Sequence, residues 1–111
     1  MSDCLFCKIE KNEIPSERVY EDDDVIVIRD LYPKAKVHLL VIPRKHIASL
    51  NKLEQNDQEL MGKIMLLLPQ LAKQAGLDAG YRTIINTEKG GGQEIFHIHV
   101  HLLGGSKLPF A

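Results

Sequence analysis

The sequence lacks an excess of positive charge. Lysine and arginine together number 14 against 15 aspartates and glutamates, and the formal net charge at pH 7 is −1. The dense run of charge at residues 21–24 is acidic. Proteins that bind long nucleic acids instead present clusters of basic side chains to the phosphates. We therefore expect no nucleic-acid partner.

A long hydrophobic run is also missing. The longest uninterrupted apolar stretch covers residues 64–68, whereas a membrane-spanning helix needs about 20 apolar residues. Asp3 stands where a secretory signal would carry basic and then apolar residues. We expect a cytoplasmic protein without a membrane partner.

Cysteine is scarce, because the chain contains only two. Cys4 and Cys7 lie three positions apart, which is too close to constrain a long loop, and two cysteines are too few to support a secreted disulfide fold. The pair indicates a reducing compartment and suits a metal site.

The chain has 111 residues, of which 44% are hydrophobic. This composition supplies the core of one compact domain, which we assign to residues 1–111. A chain of this length buries only about two-thirds of its surface on folding, so pairing of two copies through an apolar face would add core. We therefore expect a homodimer.

The first part of the chain predicts a short helix, a hairpin and a strand. Residues 3–11 form the helix, with Asp3 as its N-cap. β-Branched runs at residues 19–20 and 25–28 flank the acidic segment, as in a β-hairpin. The near-continuous apolar run at residues 38–42 predicts a central strand.

The second part predicts one long helix and two further strands. Apolar residues follow helical spacing over 53–75, and Pro69 within this range predicts a kink or a break. Residues 81–87 and 94–103 predict strands, which are joined by the polar, glycine-rich turn 88–93.

Three histidines alternate with aliphatic residues near the C-terminus. His97, His99 and His101 are separated by Ile98 and Val100, and a strand with its two-residue period would project the three imidazoles from one face. Neighbouring histidines would stand about 6.6 Å apart along the strand, which is comparable to a phosphate with its leaving group. The spacing favours a row along a substrate over a cage for one ion.

Two other interpretations stay open on these residues alone. An edge strand can carry histidines on its polar face without any chemistry. The row can also bind a catalytic transition metal, but such sites normally add a carboxylate ligand, and no aspartate or glutamate follows Glu94. We expect no catalytic metal.

The segment His97-Ile98-His99-Val100-His101-Leu102-Leu103 resembles the histidine-triad signature, in which histidines alternate with hydrophobic residues. Over nearly its whole length the chain is similar to the Hint branch of the histidine triad (HIT) superfamily. Further matching segments are Phe6-Cys7-Lys8-Ile9, Glu13-Ile14-Pro15, Asp30 before Leu31, His38 through Pro43, Lys45-His46-Ile47, Asn86, Gly91-Gly92-Gln93 and Gly104-Gly105.

The resemblance implies an α+β fold in which a five-stranded antiparallel sheet carries two helices and pairs as a dimer. It also implies a site for purine mononucleotides, with His99 as the nucleophile and with His101 and His38 close to the phosphate. A histidine at the third triad position is more similar to the hydrolase branches than to the nucleotidylyltransferases.

The reaction that the resemblance implies is hydrolysis of a purine nucleoside phosphoramidate, or a related nucleotide, at the α-phosphorus. His99 would form a nucleotidyl-histidine that water then cleaves. An unperturbed imidazole is substantially neutral near pH 7 and needs no separate base to act as a nucleophile. Two alternatives stay open: a dinucleoside polyphosphate hydrolase, and a nucleotide sensor or scaffold with little turnover.

The resemblance further assigns residues to the base and the ribose. Asp30 matches the residue that accepts the ribose hydroxyls, and its alternative role is the capping of a turn. The residues that match the positions around the base are Phe6, Ile9, Ile28 and Leu31, which taken alone are ordinary core residues.

Near the phosphate the resemblance places Asn86, Gly92 and Gln93. Consecutive glycine N–H groups can surround an anion, and the alternative is a flexible turn. Glu94 stands where several relatives carry a serine that can contact the leaving group, so we expect it to influence specificity. Some relatives end in a tryptophan-containing segment that reaches the partner's site, and Phe110 is the candidate for that contact here.

The resemblance also implies a role for the cysteine pair in a metal site. Several bacterial HIT proteins close a structural zinc site with two such cysteines, a histidine after the central strand and the first triad histidine. The corresponding residues are Cys4, Cys7, His46 and His97. Such a Cys₂His₂ set would be tetrahedral and would not touch substrate. The alternative is a pair of reduced thiols, with His97 hydrogen-bonded in the core.

Overall fold

The computed structural model describes residues 3–108. Its strands and α-helices, in chain order, are α1 Leu5–Glu10, β1 Arg18–Glu21, β2 Val25–Arg29, β3 Val37–Pro43, α2 Gln58–Gln74, β4 Arg82–Ile84 and β5 Val100–Gly104. The strands form one antiparallel sheet in the order β1-β2-β3-β5-β4. The predicted α+β class, with a five-stranded antiparallel sheet and two α-helices, is confirmed. Neither helix in the described range is long and apolar enough to cross a bilayer.

Alternation along the strands divides the hydrophobic core into two layers. Leu39 and Val41 of β3 pack in the cluster that contains the buried side of α2. Leu40 and Ile42 pack in the cluster that contains Phe6 of α1. The period of two along a strand produces this separation. The sheet is therefore covered by α2 on one face and, over part of the other face, by α1.

Two histidines lie on the face of the sheet that carries α1. His38 stands two residues before Leu40 on β3, and His101 of β5 is paired with Leu40 across the ladder. Residues directly paired in an antiparallel ladder project to the same face. The strand register therefore places His38 and His101 side by side, away from α2.

The first helix is capped by a thiol. α1 begins at Leu5, and Sγ of its N-cap Cys4 accepts a hydrogen bond from the Cys7 amide at 3.4 Å. The predicted cap at Asp3 is therefore wrong. Aspartate is the commoner N-cap residue. Here Cys4 takes the N-cap position because its Sγ contacts the Cys7 amide and Nδ1 of His97.

The last strand is shorter than the pattern predicts. Regular pairing of β5 with β3 begins at Val100 opposite Val41, so the predicted strand 94–103 is wrong over residues 94–99. The backbone there leaves the ladder, and the Ile98 amide donates to the Ile47 carbonyl at 2.7 Å. The predicted strand 81–87 likewise forms only over β4, which pairs with three residues of β5.

The long helix also differs from its prediction at two points. Two 3₁₀ turns, Leu50–Lys52 and Gln55–Asp57, precede α2, so the helix begins later than residue 53. Pro69 lies inside α2, which continues through it, and the predicted break is wrong. Pro69 and Met65, one turn earlier, are both exposed. Water can therefore reach the carbonyl that proline leaves without a donor.

Two glycines associated with α2 allow a matched test of backbone conformation. Gly62 lies within the exposed part of the helix with open space where a Cβ would stand, whereas Gly76 follows the helix at a φ of +77°. We expect Gly62→Ala to raise the free energy of unfolding by about 1 kcal/mol. Gly76→Ala should lower it by about 1 kcal/mol, because a side chain at positive φ is strained. Denaturant titration measures both, and changes of the same sign would contradict this account.

Candidate active site

A pocket of about 700 Å³ opens on the face of the sheet that carries α1. Its size lies within the range of small-molecule sites. Two of the triad histidines, His99 and His101, line it together with His38. Of the residues predicted to contact the nucleotide, the pocket is also lined by Phe6, Ile9, Ile28, Asp30, Leu31, Asn86, Gly92 and Glu94. The predicted base, ribose and phosphate residues thus face one cavity, except for Gln93.

The apolar end of the pocket is built from α1 and β2. Phe6, Ile9 and Ile28 are buried, whereas Leu31 at the mouth is 87% exposed. Phe6 also meets the ring of His99 edge-on, with centroids 5.0 Å apart. The pocket therefore joins an apolar slot directly to the imidazole of His99.

His99 has a defined tautomer. Its Nδ1 lies 2.8 Å from the His97 carbonyl oxygen, and because a carbonyl oxygen can only accept, Nδ1 carries the proton. Nε2 of the neutral ring therefore keeps its lone pair. Burial lowers the pKa of His99 below its usual value, which favours this neutral, nucleophilic form at pH 7.

His38 and His101 form a hydrogen-bonded pair, which we call the relay. The donor and the acceptor of the bond between the two rings are also fixed. The Lys34 amide donates to Nδ1 of His38 at 3.0 Å, so Nε2 of neutral His38 carries the proton and donates to Nδ1 of His101 at 2.9 Å. Nε2 of neutral His101 is then a donor. Burial, followed by the nearby His99 and His38, lowers the pKa of His101 to about 4, and burial lowers that of His38.

Asp30 lies beside His38 and has two contacts. Its Oδ1 accepts from the Tyr32 amide at 2.8 Å, which is the turn-capping contact. Its Oδ2 lies 3.4 Å from Nε2 of His38. One carboxylate oxygen is thus held by the turn while the residue still lines the pocket, and the ribose contact stays a prediction.

Asp30, His38 and His101 also lie close enough together to hold a metal ion. The hydrogen bonds argue against this use. A metal on Nε2 of His38 would displace its proton to Nδ1, which would then face the Lys34 N–H group. The set suits a hydrogen-bonded relay better than a catalytic metal centre.

The glycine-rich turn, residues 88–93, reaches the rim of the pocket, where Gly92 is one of the lining residues. Residues Lys89–Gly91 form a 3₁₀ turn, in which the Gly91 and Gly92 amides donate to the Glu88 and Lys89 carbonyls at 3.0 Å each. These two amides are already bonded within the turn. Gly92, at a φ of +85°, gives the pocket wall a position without a side chain.

Gln93 does not line the pocket with its neighbours. It is buried, and its side-chain amide bonds to the Glu88 amide and to the carbonyls of Ala48 and Ile95. The family resemblance implies a place for Gln93 beside the phosphate, whereas the structure turns its side chain into the protein. A contact between this side chain and the phosphate stays a prediction that these bonds do not favour.

A second group of side chains, the Cys/His cluster, consists of Cys4, Cys7, His46 and His97, none of which lines the pocket. Their ligand atoms lie within 4.8 Å of one another. Nδ1 of His97 is 3.3 Å from Sγ of Cys4, 3.5 Å from Sγ of Cys7 and 3.2 Å from Nδ1 of His46, and Cys7 and His46 are 3.3 Å apart. The structure thus brings together the four residues of the predicted zinc site.

The cluster fits a tetrahedral zinc ion in both spacing and protonation. Zinc bonds of about 2.3 Å to sulfur and about 2.0 Å to nitrogen place sulfur and nitrogen about 3.6 Å apart and two nitrogens about 3.3 Å apart. Nε2 of His97 donates to the Pro43 carbonyl at 2.7 Å, which leaves the lone pair on Nδ1 facing the thiols. Burial lowers the pKa of His97 to about 4, so the ring is neutral, as a ligand must be.

Some pocket residues were not identified from the sequence. Lys34 acts on His38 through its backbone amide, which nearly every residue type supplies, so no side-chain signal marks it. Leu5, Leu40 and Leu103 line the pocket but look like ordinary core residues in the sequence. Phe110, the candidate for a contact across a dimer, lies outside the described residues.

Comparisons with known proteins agree with this geometry. A family model described as "Scavenger mRNA decapping enzyme C-term binding" matches residues 3–110. Protein HitA of Neisseria gonorrhoeae is 49% identical over 104 residues, which cover 94% of this chain and 97% of that protein.

Two solved structures extend the comparison to three dimensions. A HIT family hydrolase from Legionella pneumophila Philadelphia 1 is 48% identical, with a TM-score of 0.92 and coverage of 95% of each chain. A histidine triad nucleotide-binding protein from Candida albicans is 30% identical, with a TM-score of 0.82 and coverage of 98% of this chain and 85% of that one. Matches of this extent, in sequence and in fold, make the chain a member of the histidine triad family.

Proposed function

We propose that the chain is a nucleotide hydrolase of the Hint-like branch that cleaves purine nucleoside phosphoramidates, or related nucleotides, at the α-phosphorus. The observation that carries this proposal is the tautomer of His99, whose Nδ1 is held by the His97 carbonyl while the ring lines the pocket. The Legionella relative is described as a hydrolase and the Candida relative as nucleotide-binding, which supports both parts of the proposal.

In the proposed reaction Nε2 of His99 attacks the α-phosphorus and the bond to the leaving nitrogen breaks. The positive charge that develops on the ring is stabilised by the His97 carbonyl, which already accepts from Nδ1. Nε2–H of His101, fixed by His38, donates a hydrogen bond to a phosphate oxygen. The leaving amine departs with a proton taken from water. Water then cleaves the phosphorus–nitrogen bond to His99, which releases a nucleoside monophosphate and restores the imidazole.

Replacement of the nucleophile tests this mechanism. We expect His99→Asn to lower kcat for adenosine phosphoramidate by about a thousandfold or more, because no other group can form the covalent intermediate. The affinity for AMP should change by less than about threefold, because the slot for the base is intact. Turnover assays and calorimetry measure the two effects. Mass spectrometry of the quenched parent should also find a nucleotidyl group on His99, and a fully active His99→Asn variant would refute the assignment.

The same assays separate the alternative functions. A dinucleoside polyphosphate hydrolase would turn over diadenosine compounds faster than phosphoramidates. A nucleotide sensor would bind AMP and turn over neither class. The panel therefore distinguishes all three functions in one set of measurements.

Glu94 is proposed to select the leaving group. Its exposed carboxylate lines the pocket, so it can attract a cationic amine. We expect Glu94→Ser to lower the preference in kcat/KM for a lysyl over a neutral amine phosphoramidate by about threefold, the size of an exposed charge contact. Asp23→Ser is the matched control, since it removes an exposed carboxylate outside the pocket. An unchanged preference in Glu94→Ser would remove this role.

We also propose that the Cys/His cluster holds one structural zinc ion. The four side chains come from α1 and its N-cap, from the segment after β3 and from the segment before β5. A zinc ion would tie these three segments together and take no part in the reaction. The spacing and the tautomer of His97 support this assignment. Pairing into a homodimer stays a prediction.

Metal analysis tests the zinc proposal. We expect protein purified without chelators to hold about one zinc per chain, and Cys7→Ser to lose it together with thermal stability. His101→Gln should keep its zinc, because His101 lies outside the cluster. Less than about a tenth of an equivalent in the parent, or loss of zinc in His101→Gln alone, would contradict the proposal.

A further inference from the structure

Gln93 lies between two residues of the pocket rim but does not face the pocket. It is 5% exposed. Its Oε1 accepts from the Glu88 amide at 2.8 Å, and its Nε2 donates to the carbonyls of Ala48 and Ile95 at 2.7 and 3.0 Å. Both hydrogens of the side-chain amide are therefore used within the protein. Gln93 is built to hold the rim rather than to bind a ligand.

Glu88, where the turn begins, is held from several sides. Its carbonyl accepts from the amides of Gly91 and Gln93 at 3.0 and 3.1 Å. Its carboxylate accepts from the hydroxyl of Ser49, which is fully buried. Glu88 nevertheless has a φ of +63° with a ψ of 173°, a conformation that residues with a side chain keep only when their surroundings enforce it.

These contacts tie the glycine-rich turn to the segment that follows β3. Ala48 and Ser49 hold Gln93 and Glu88, and the adjacent Ile47 carbonyl accepts from the Ile98 amide at 2.7 Å. The turn and the chain leading to His99 are thus anchored on three consecutive residues. Three glycines in succession would otherwise leave the turn free to sample many conformations.

We propose that Glu88, Gln93 and Ser49 are positioning residues that hold the glycine-rich rim in its phosphate-binding conformation before the nucleotide arrives. The inference rests on the proposed function, because that function gives the neighbouring Gly92 and Glu94 to the phosphate and leaving group. A rim that is already ordered spares the ligand the entropy of ordering it. We call these three residues the clamp. The clamp acts on the phosphate end of the pocket and leaves the apolar slot for the base unaffected.

The sharpest variant is Glu88→Gly, which removes the bond to Ser49 while glycine tolerates the same φ. We expect it to weaken AMP binding about tenfold, as loss of a charge-assisted bond and of preorganisation requires, and to leave adenosine binding within about twofold. Glu88→Gln keeps an acceptor for Ser49 and should restore most of the affinity. Asn12→Gly is the matched control, because Asn12 is the other described non-glycine residue with positive φ and does not line the pocket.

Amide hydrogen exchange tests the clamp without any ligand or turnover. In Glu88→Gly and in Ser49→Ala, the amides of Gly91 and Gln93 should exchange at least about tenfold faster than in the parent, because the turn opens more often. Unchanged exchange in both variants would overturn the inference. So would equal weakening of AMP and adenosine in Glu88→Gly, which indicates a general loss of structure. A parent that binds AMP without hydrolysing phosphoramidates would refute the proposed reaction and leave the clamp standing.

Discussion

The hydrogen bond from Nε2 of His97 to the Pro43 carbonyl is the constraint on which both sites depend. It fixes the ring of His97, and so leaves Nδ1 facing the two thiols. It also holds the backbone of His97, whose carbonyl accepts from Nδ1 of His99. The buried residue His97 therefore has two effects. Its Nδ1 faces the thiols of the Cys/His cluster, and its carbonyl leaves Nε2 of His99 as the unprotonated nitrogen. The two sites are neighbours because a chain segment with alternating histidines reaches both.

Burial keeps these imidazoles neutral. Removing an imidazole from water disfavours its charged form, and the pKa values of His97, His99 and His101 all fall for this reason first. Each of these rings has at least one nitrogen that is hydrogen-bonded inside the protein. Those partners decide which nitrogen carries the proton. Neutrality and a fixed tautomer therefore arise from the same packing.

The sequence was informative where side-chain pattern determines structure. The apolar run 38–42 and the acidic turn predict β3 and the β1–β2 hairpin, because a buried strand and a polar turn have different compositions. The histidine alternation, interpreted through the family resemblance, predicts residues that the structure gathers in one pocket.

The remaining features depend on contacts that a linear pattern does not carry. Cys4 replaces Asp3 as the cap because a distant histidine attracts its thiol. Residues 94–99 leave the ladder because the Ile98 amide bonds to Ile47 after β3, and the His97 side chain bonds to the carbonyl of Pro43 at the end of β3. Gln93 turns inward because its side chain reaches the Ala48 carbonyl, which is 45 residues away in the sequence and becomes a neighbour only in the folded chain.

The partners that orient the rings of His97, His99 and His38 share one property: each is a main-chain group. The Pro43 and His97 carbonyls and the Lys34 amide do not change when the side chains that accompany them are exchanged. Divergence of the surrounding sequence can therefore reshape the apolar slot or the rim of the pocket without altering which imidazole nitrogen is free. Only proline at position 34 would remove a donor. Residue changes that alter the shape of the pocket are thus independent of the main-chain contacts that fix the protons on these rings.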